Sequence, residues 1–174
     1  ADAKTIQKRF GDSDISPEAI AALCQEINAK VSLSNATFEF ARTSGVATVL
    51  AISGMHCKVS AMITNTDPAY IRQGFLPALA VGYKDVLQEA VPILGDSKEA
   101  REAATLVNEF TRKAHAVLLE SGINKERLLK DLLPVNAILC RGAGERIPIV
   151  PALSKLYGMR FACFLERPLE RAIS

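Results

Sequence analysis

The chain has 174 residues, of which 49% are hydrophobic, which is enough apolar material for one or at most two compact domains and excludes a disordered segment. Its 21 basic and 19 acidic residues give a net charge of +2 without a sustained basic stripe, which disfavours nucleic-acid binding. No apolar run approaches the roughly 20 residues that a membrane helix requires, and the first residues show no signal-peptide pattern. We therefore expect a cytoplasmic protein that binds neither nucleic acid nor membrane.

The first third of the chain predicts a helix followed by a β-hairpin. Ser16-Pro17 is typical of a helix start, and apolar residues follow at helical spacing: Ile20, Leu23, Cys24, Ile27 and Val31. Residues 37–42 alternate between apolar and polar side chains, residues 46–52 are apolar on both faces, and Thr43-Ser44-Gly45 separates the two segments. This pattern predicts two paired strands, of which the second lies in the middle of a sheet.

The remainder of the chain predicts shorter elements around one long helix. Residues 58–64 predict a strand, whereas residues 70–94 contain Gly and Pro interruptions and no dominant period. Asp96-Ser-Lys-Glu99 has the form of a capping box, and the apolar spacing beyond it predicts the longest helix, which ends at Gly122. We expect further helices over residues 124–133 and 151–157, strands over residues 137–140 and 160–165, and a helix or linker over residues 166–174.

These elements predict a single α/β domain in which a mixed sheet of four or five strands packs against helices. The strand, loop, helix and strand over residues 136–165 form the unit most suited to parallel pairing, because a crossover helix separates the two strands.

The segment Asn136-Ala-Ile-Leu-Cys-Arg-Gly-Ala-Gly144 carries the strongest functional signal. Glycine lets the backbone approach a ligand and point N–H groups at it, and arginine offers a planar fork of donors for phosphate or carboxylate. The alternative is a tight turn that serves geometry alone. We expect this segment to meet an anion.

The usual catalytic arrangements are not found. His56 and Cys57 are adjacent and point to opposite faces of an extended chain, and His115 lies within the long helix. The sequence contains no Gly-x-Ser-x-Gly elbow, Walker loop, dinucleotide fingerprint or Cys-x-x-Cys pair, and we expect its four cysteines to be buried thiols: Cys24, Cys57, Cys140 and Cys163. We therefore expect no catalytic residue and no metal site in this chain.

The anion-binding segment, together with Pro151-Ala-Leu-Ser-Lys-Leu-Tyr-Gly158 and Phe161-Ala-Cys163, resembles the archaeal-type, cofactor-independent phosphoglycerate mutases. Three further segments resemble that family in sequence order: Ile6-Gln-Lys-Arg-Phe-Gly11, Ile63-Thr-Asn-Thr-Asp-Pro68 and Asn124-Lys-Glu-Arg127. In this family, which belongs to the alkaline-phosphatase superfamily, an α/β domain is inserted into a phosphatase-like core and closes over the substrate. The resemblance implies that residues 1–174 are this inserted lid domain.

The resemblance also implies where the chemistry takes place. The serine nucleophile and two divalent metal ions, Mn or Mg, belong to the core, where 3-phosphoglycerate and 2-phosphoglycerate interconvert through a phosphoserine. This chain would bind no metal itself and would be inactive alone. Its partners would be the core and a phosphoglycerate-like small anion.

By the same resemblance, the substrate-binding residues are Arg9, Arg127 and Arg141, with Asn136 and the backbone of Gly142 and Gly144 supporting the loop. Arg146 is added on the composition of the loop alone. For each of these arginines, a solvated surface position is the alternative.

The chain departs from the family pattern at three places. Asp12 replaces an arginine, Val46-Ala47 replaces Tyr-Arg, and Ala69 replaces a histidine. These departures leave two alternatives open: a divergent relative that acts on another phosphate ester, and an anion-binding or regulatory module without a catalytic role.

Overall fold

The structure, a computed structural model, describes residues 5–74, 76–82, 85–93, 97–145, 149 and 151–162. Within these residues the elements follow the order α1 (Pro17–Lys30), β1 (Ala36–Ser44), β2 (Ala47–Gly54), β3 (Tyr70–Gln73), β4 (Leu76–Ala80), α2 (Lys98–Glu120), α3 (Gly122–Leu129) and α4 (Leu153–Tyr157). None of the helices in these ranges is both long enough and apolar enough to cross a bilayer.

Side-chain caps begin the two longest helices. Ser16 Oγ accepts a hydrogen bond from the Ala19 N–H, with Pro17 in the first helical turn, as the sequence predicts. Ser97 Oγ accepts from the Ala100 N–H at the start of α2. The cap of α2 is therefore Ser97, and α2 ends at Glu120, two residues before the predicted end.

The four described strands form two antiparallel hairpins. β1 pairs with β2, with Phe40 opposite Leu50, and β3 pairs with β4, with Tyr70 opposite Ala80. The α/β class is confirmed, but the described strands form two separate two-stranded sheets and not the expected mixed sheet of four or five strands. The second hairpin lies in the segment without a dominant period, where Gly74 adopts the left-handed conformation (φ +56°) that its turn requires.

The core lies between α1, α2 and the inner face of β1. Phe110 of α2 is fully buried, and its ring contacts those of Phe38 and Phe40 at centroid distances of 5.2 and 5.3 Å. Ile27 of α1 and Leu106 of α2 complete this contact. The alternating apolar residues of β1 therefore fix the packing of the first hairpin.

Asn28 of α1 covers one edge of β1. Its side-chain amide donates to the Phe40 carbonyl at 2.6 Å, and its Oδ1 accepts from the Phe40 N–H at 3.0 Å. Both backbone groups of Phe40 are thus satisfied by a helix side chain.

Four strand predictions require correction. β2 is not central, because among the described strands it pairs only with β1, and Ala47, Val49 and Ala51 are exposed on its outer face. Apolar content alone does not show whether a second layer covers that face. Residues 58–64 contribute only an isolated bridge between Ile63 and Pro92.

Residues 137–140 form no strand either, because the backbone of Cys140 bonds to a turn instead of a ladder. Residues 160–162 are irregular, and residues 163–174 lie outside the described residues. The parallel unit predicted over residues 136–165 is therefore not formed in the described part of the chain.

Candidate functional site

Two of the predicted anion-binding arginines meet at one buried carboxylate, that of Asp67. Asp67 is 1% exposed. Arg9 Nη2 donates to Asp67 Oδ1 at 2.7 Å, and Arg141 Nη1 donates to Asp67 Oδ2 at 3.1 Å. Arg9 and Arg141 are 58 and 74 positions away from Asp67 in the sequence, yet the three side chains meet here. We call Arg9, Asp67, Tyr70 and Arg141 the Asp67 cluster.

Local turn chemistry places Asp67 at this point. Its Oδ1 accepts from the Ala69 N–H at 3.1 Å, an Asx turn that the Asp-Pro pair favours. The Thr66 and Asp67 N–H groups both donate to the Cys140 carbonyl, and the Cys140 N–H donates to Thr66 Oγ1 at 2.8 Å. These bonds hold the turn against residue 140, so the next residue, Arg141, lies beside Asp67.

The two guanidinium groups keep Asp67 ionised. Burial acts to raise the pKa of the Asp67 carboxyl, but the hydrogen bonds from Arg9, Ala69 and Arg141 outweigh burial and hold the pKa below its ordinary value of 3.8. Arg9 and Arg141 thus share the Asp67 carboxylate, and Arg141 has no second carboxylate partner among the described residues. A further anion is therefore attracted to Arg141.

Arg141 is the accessible member of the cluster. Its side chain is 49% exposed, whereas that of Arg9 is 26% exposed. The Arg141 guanidinium also lies over the Tyr70 ring, with its central carbon 4.1 Å from the ring centroid. Held by Asp67 and Tyr70, Arg141 can present its outward N–H groups to a ligand in a fixed orientation.

Residues 141–145, which we call the glycine-rich loop, are anchored at three points. The Gly142 N–H donates to Asn65 Oδ1 at 3.1 Å, and Gly142 has φ +73°, a conformation that favours glycine. Arg72 Nη2 donates to the Ala143 carbonyl. Glu145 Oε1 accepts from Ser60 Oγ at 2.8 Å and from the Ala61 N–H.

Asn65 joins this loop to the second hairpin. It is 4% exposed, and its Nδ2 donates to the carbonyls of Tyr70 in β3 and Pro77 in β4. Because its Oδ1 accepts from Gly142, one buried amide connects three segments of chain.

A cavity of about 1080 Å³ opens beside the cluster. Its lining combines the polar and charged residues Lys8, Arg9, Asp67, Arg141 and 142–145 with apolar side chains that include residues of α1, β1 and β2. This volume accommodates a small metabolite.

The other predicted residues lie elsewhere. Arg127 donates to the carbonyls of Leu133 and Asp14 at 2.8 and 3.1 Å, and its guanidinium lies over Phe10, so its contacts join α3 to the amino-terminal segment. Asn136 is exposed, and its carbonyl contacts His115 Nδ1. The cavity lining includes neither Arg127 nor Asn136. Arg146 lies outside the described residues.

The cysteines offer no nucleophile at this site. Cys24 is buried as predicted, and Cys57 and Cys140 are partly buried; all three are free thiols, and Cys163 lies outside the described residues. Burial raises the pKa of the Cys140 thiol to about 11, so the thiol is protonated at neutral pH. In the part of the chain that the structure describes, no group of three or more His, Cys, Asp or Glu side chains is placed to hold a metal ion.

Sequence reasoning missed Asp67, Tyr70 and Arg72 as parts of this site. Asp67 stands in a segment that resembles the family, but the resemblance assigns it no role, although an acidic residue before proline in a turn is also a candidate partner for nearby arginines. Tyr70 and Arg72 lie in the segment without a dominant period, and their alternation at positions i and i+2 was the available signal.

Two of the departures from the family pattern have structural roles. Asp12 Oδ1 accepts from the Val46 N–H at 2.8 Å in the turn of the first hairpin, and the Ala69 N–H supports Asp67. Ala47, the third, is exposed at the start of β2.

The comparisons with known proteins agree on one family. The family described as 2,3-bisphosphoglycerate-independent phosphoglycerate mutase matches residues 1–124. The protein of that name from Aeropyrum pernix is 33% identical over 174 residues, covering 98% of this chain and 40% of the relative. The 2,3-bisphosphoglycerate-independent phosphoglycerate mutase 1 of Archaeoglobus fulgidus is 34% identical over 172 residues, covering 99% of this chain and 37% of the relative.

A solved structure, the cofactor-independent phosphoglycerate mutase from Thermoplasma acidophilum, matches 99% of this chain and 42% of its own with a TM-score of 0.61. Its 20% sequence identity makes this a likeness of fold. The chain therefore spans about two fifths of the length of the curated relatives that it matches.

Proposed function

Because the chain belongs to the 2,3-bisphosphoglycerate-independent phosphoglycerate mutase family, we propose that it is the substrate-binding and closure domain of such a mutase. The observation that carries this proposal is the convergence of Arg9 and Arg141 on Asp67 in the lining of the cavity.

The charge of the cluster suits a phosphoglycerate. Such a ligand carries a carboxylate and a phosphate, and the cluster offers it the half-exposed guanidinium of Arg141. A guanidinium fork binds either anionic group through two parallel hydrogen bonds. Lys8 also lines the cavity, but Asp14 pairs with its ammonium group at 2.6 Å, so Arg141 is the cation on which the proposal depends.

Asp67 orders the side chains of Arg9 and Arg141 before a ligand binds. Flexible arginine side chains lose about 0.5–1.5 kcal/mol of conformational entropy each when a ligand immobilises them. Here the carboxylate already holds both guanidinium groups before a ligand arrives. The ligand therefore meets cations in a fixed geometry, as the positioning of a small acid during a transfer reaction requires.

The proposed domain binds and orients glycerate while the phosphoryl group is held elsewhere. The described residues do not fit the two divalent ions, Mn or Mg, that the family resemblance implies. We assign these ions, the serine nucleophile and the phosphoserine to polypeptide outside this chain. Closure of this domain would keep the glycerate from escaping and exclude water.

The test is Arg141→Ala in the complete polypeptide that carries this sequence, with 3-phosphoglycerate as substrate. We expect kcat/KM to fall about 100-fold or more, the loss for one charged positioning contact. Arg112→Ala, which removes an arginine from an exposed position of α2, is the matched control and should leave kcat/KM unchanged.

Arg141→Lys separates charge from geometry. Lysine keeps the cation but loses the planar fork, so we expect an intermediate kcat/KM. Unchanged turnover in Arg141→Ala would remove Arg141 from the site. Binding of 3-phosphoglycerate by a complete polypeptide without mutase turnover would favour an anion-binding module or a relative that acts on another phosphate ester.

A further inference from the structure

Arg72 of β3 is a partly buried cation without an anionic partner among the described residues. Its Nη2 donates to the Ala143 carbonyl, whereas its Nε is buried and makes no hydrogen bond. No carboxylate among the described residues forms an ion pair with it. A guanidinium that is partly withdrawn from water, with one N–H buried and unsatisfied and no counter-charge, is costly, so its position calls for an explanation.

The strand that carries Arg72 runs beside the glycine-rich loop with matching spacing. Tyr70 and Arg72 are two residues apart and lie on one face of β3. Tyr70 contacts Arg141, and Arg72 contacts Ala143, which are also two residues apart. The face of β3 thus supports the loop at successive alternate residues.

The hydrogen bond from Arg72 fixes the direction of the peptide group that joins Ala143 to Gly144. In a trans peptide the C=O and the following N–H point in opposite directions, and no described peptide bond is cis. Because the Ala143 carbonyl points toward Arg72, the Gly144 N–H points away from it. Gly144 lines the cavity and Arg72 does not, so this N–H faces the cavity side. Among the described residues, no group accepts a hydrogen bond from it.

We propose that Arg72 is a positioning residue, which turns the Gly144 N–H into the cavity as a backbone donor for an oxyanion of the ligand. This inference rests on the proposed function and adds a donor to the same site. The ligand would be a small phosphorylated acid that engages Arg141 with one anionic oxygen and Gly144 with another.

The charge of Arg72 strengthens this arrangement. Burial lowers the pKa of the Arg72 guanidinium, but arginine stays protonated at neutral pH. A cation that donates to the Ala143 carbonyl polarises the peptide group and makes the Gly144 N–H a stronger donor. A bound oxyanion would in turn supply the negative charge that Arg72 lacks.

The experiment follows the glycine amides of the chain by NMR after labelling with ¹⁵N-glycine. The sequence has ten glycines, so the spectrum is small enough to resolve. The Gly144 signal is assigned by its loss in Gly144→Ala, for which there is room because nothing lies within 4 Å of the added Cβ. 3-Phosphoglycerate is then titrated into the wild-type chain and its variants.

In the wild-type chain we expect the Gly144 amide to shift downfield on titration. Arg72→Met should move the ligand-free Gly144 signal, abolish its ligand shift and weaken binding about tenfold. Arg72→Lys should keep part of the ligand-induced Gly144 shift and part of the affinity. Arg112→Met, on the exposed face of α2, should change neither the Gly144 shift nor the affinity. A purely structural role of Arg72 would lower thermal stability without a selective effect on Gly144.

Failure of the inference differs from failure of the proposed function. Binding of 3-phosphoglycerate with an unchanged Gly144 signal, or with the same Gly144 shift in Arg72→Met, overturns the role of Arg72 and leaves the proposed function standing. Absence of binding in both the chain and the complete polypeptide overturns both. For a variant that unfolds in isolation, the same substitution in the complete polypeptide decides: a rise in KM with unchanged kcat supports the inference, and unchanged KM contradicts it.

Discussion

At the scale of single residues, Asp67 decides how the cationic side chains are used. Without it, Arg9 and Arg141 would repel each other and extend into solvent. With it, both donate to one carboxylate that is 1% exposed. The same residue therefore stabilises the fold and organises the candidate site.

Asp67→Asn should destabilise the chain by about 2–3 kcal/mol at neutral pH. This loss lies at or below the lower end of the range expected when one partner of a buried ion pair is removed, because Arg141 is half exposed. Urea unfolding followed by circular dichroism measures the difference. A loss of unfolding free energy below about 0.5 kcal/mol would contradict a stabilising ion pair between Asp67 and the two arginines.

The contribution of Asp67 also has a defined pH dependence. Its folded pKa lies below 3.8, so the folded chain binds fewer protons than the unfolded chain in acid. Its stabilisation is therefore complete above the ordinary pKa and is lost as pH falls through the folded pKa. The difference in unfolding free energy between the wild type and Asp67→Asn should be constant from pH 7 to about 5 and shrink below pH 4.

The arginines could be predicted from the sequence, but their common partner could not. The glycines beside Arg141 mark a close backbone approach, which is a local property. The pairing of Arg9 with Asp67 depends on a contact between residues 58 positions apart. Arg127 shows the converse: its charge was visible in the sequence, while the carbonyls of Leu133 and Asp14 that it contacts were not.

At the scale of elements, the first hairpin depends on a contact outside its own strands. Gly45 adopts φ +50°, and a Cβ added there would lie 2.0 Å from Asp12 Oδ1, the atom that accepts from the Val46 N–H. The turn residue and the acidic side chain thus fit together only because the glycine has no side chain.

Gly45→Ala should destabilise the chain by about 2–3 kcal/mol, through the left-handed backbone and the clash with Asp12. Asp12→Ala alone should cost about 1 kcal/mol for the lost hydrogen bond. The double variant should lose less stability than the sum of the two single losses, by at least about 0.5 kcal/mol, because removal of the Asp12 side chain relieves the clash. Additive losses in urea unfolding would show that the contact is absent.

The elements themselves were predictable where period and caps agree. α1, α2 and the first hairpin combine a regular apolar spacing with a cap or a glycine turn, and each is found within a few residues of its predicted bounds. Residues 137–140 are apolar, but the backbone of Cys140 bonds to the turn at Thr66 and Asp67, so local pattern could not distinguish this segment from a strand.

At the scale of the whole molecule, the cavity makes stability depend on the ligand. 3-Phosphoglycerate at about 100 times its Kd should stabilise the chain by about 2.7 kcal/mol and raise Tm by roughly 5–10 °C. Glycerol, which is neutral, should leave Tm unchanged. An equal shift in Arg141→Ala would place the ligand elsewhere.

Asn28, which bonds both backbone groups of Phe40, has a further consequence for encounters between molecules. The unpaired margin of a two-stranded ribbon can recruit a strand from a neighbouring chain and so begin fibrous assembly. The amide of Asn28 occupies the position that a strand from a neighbouring chain would need. The first hairpin is therefore shielded from self-association at Phe40, the residue whose aromatic ring enters the core.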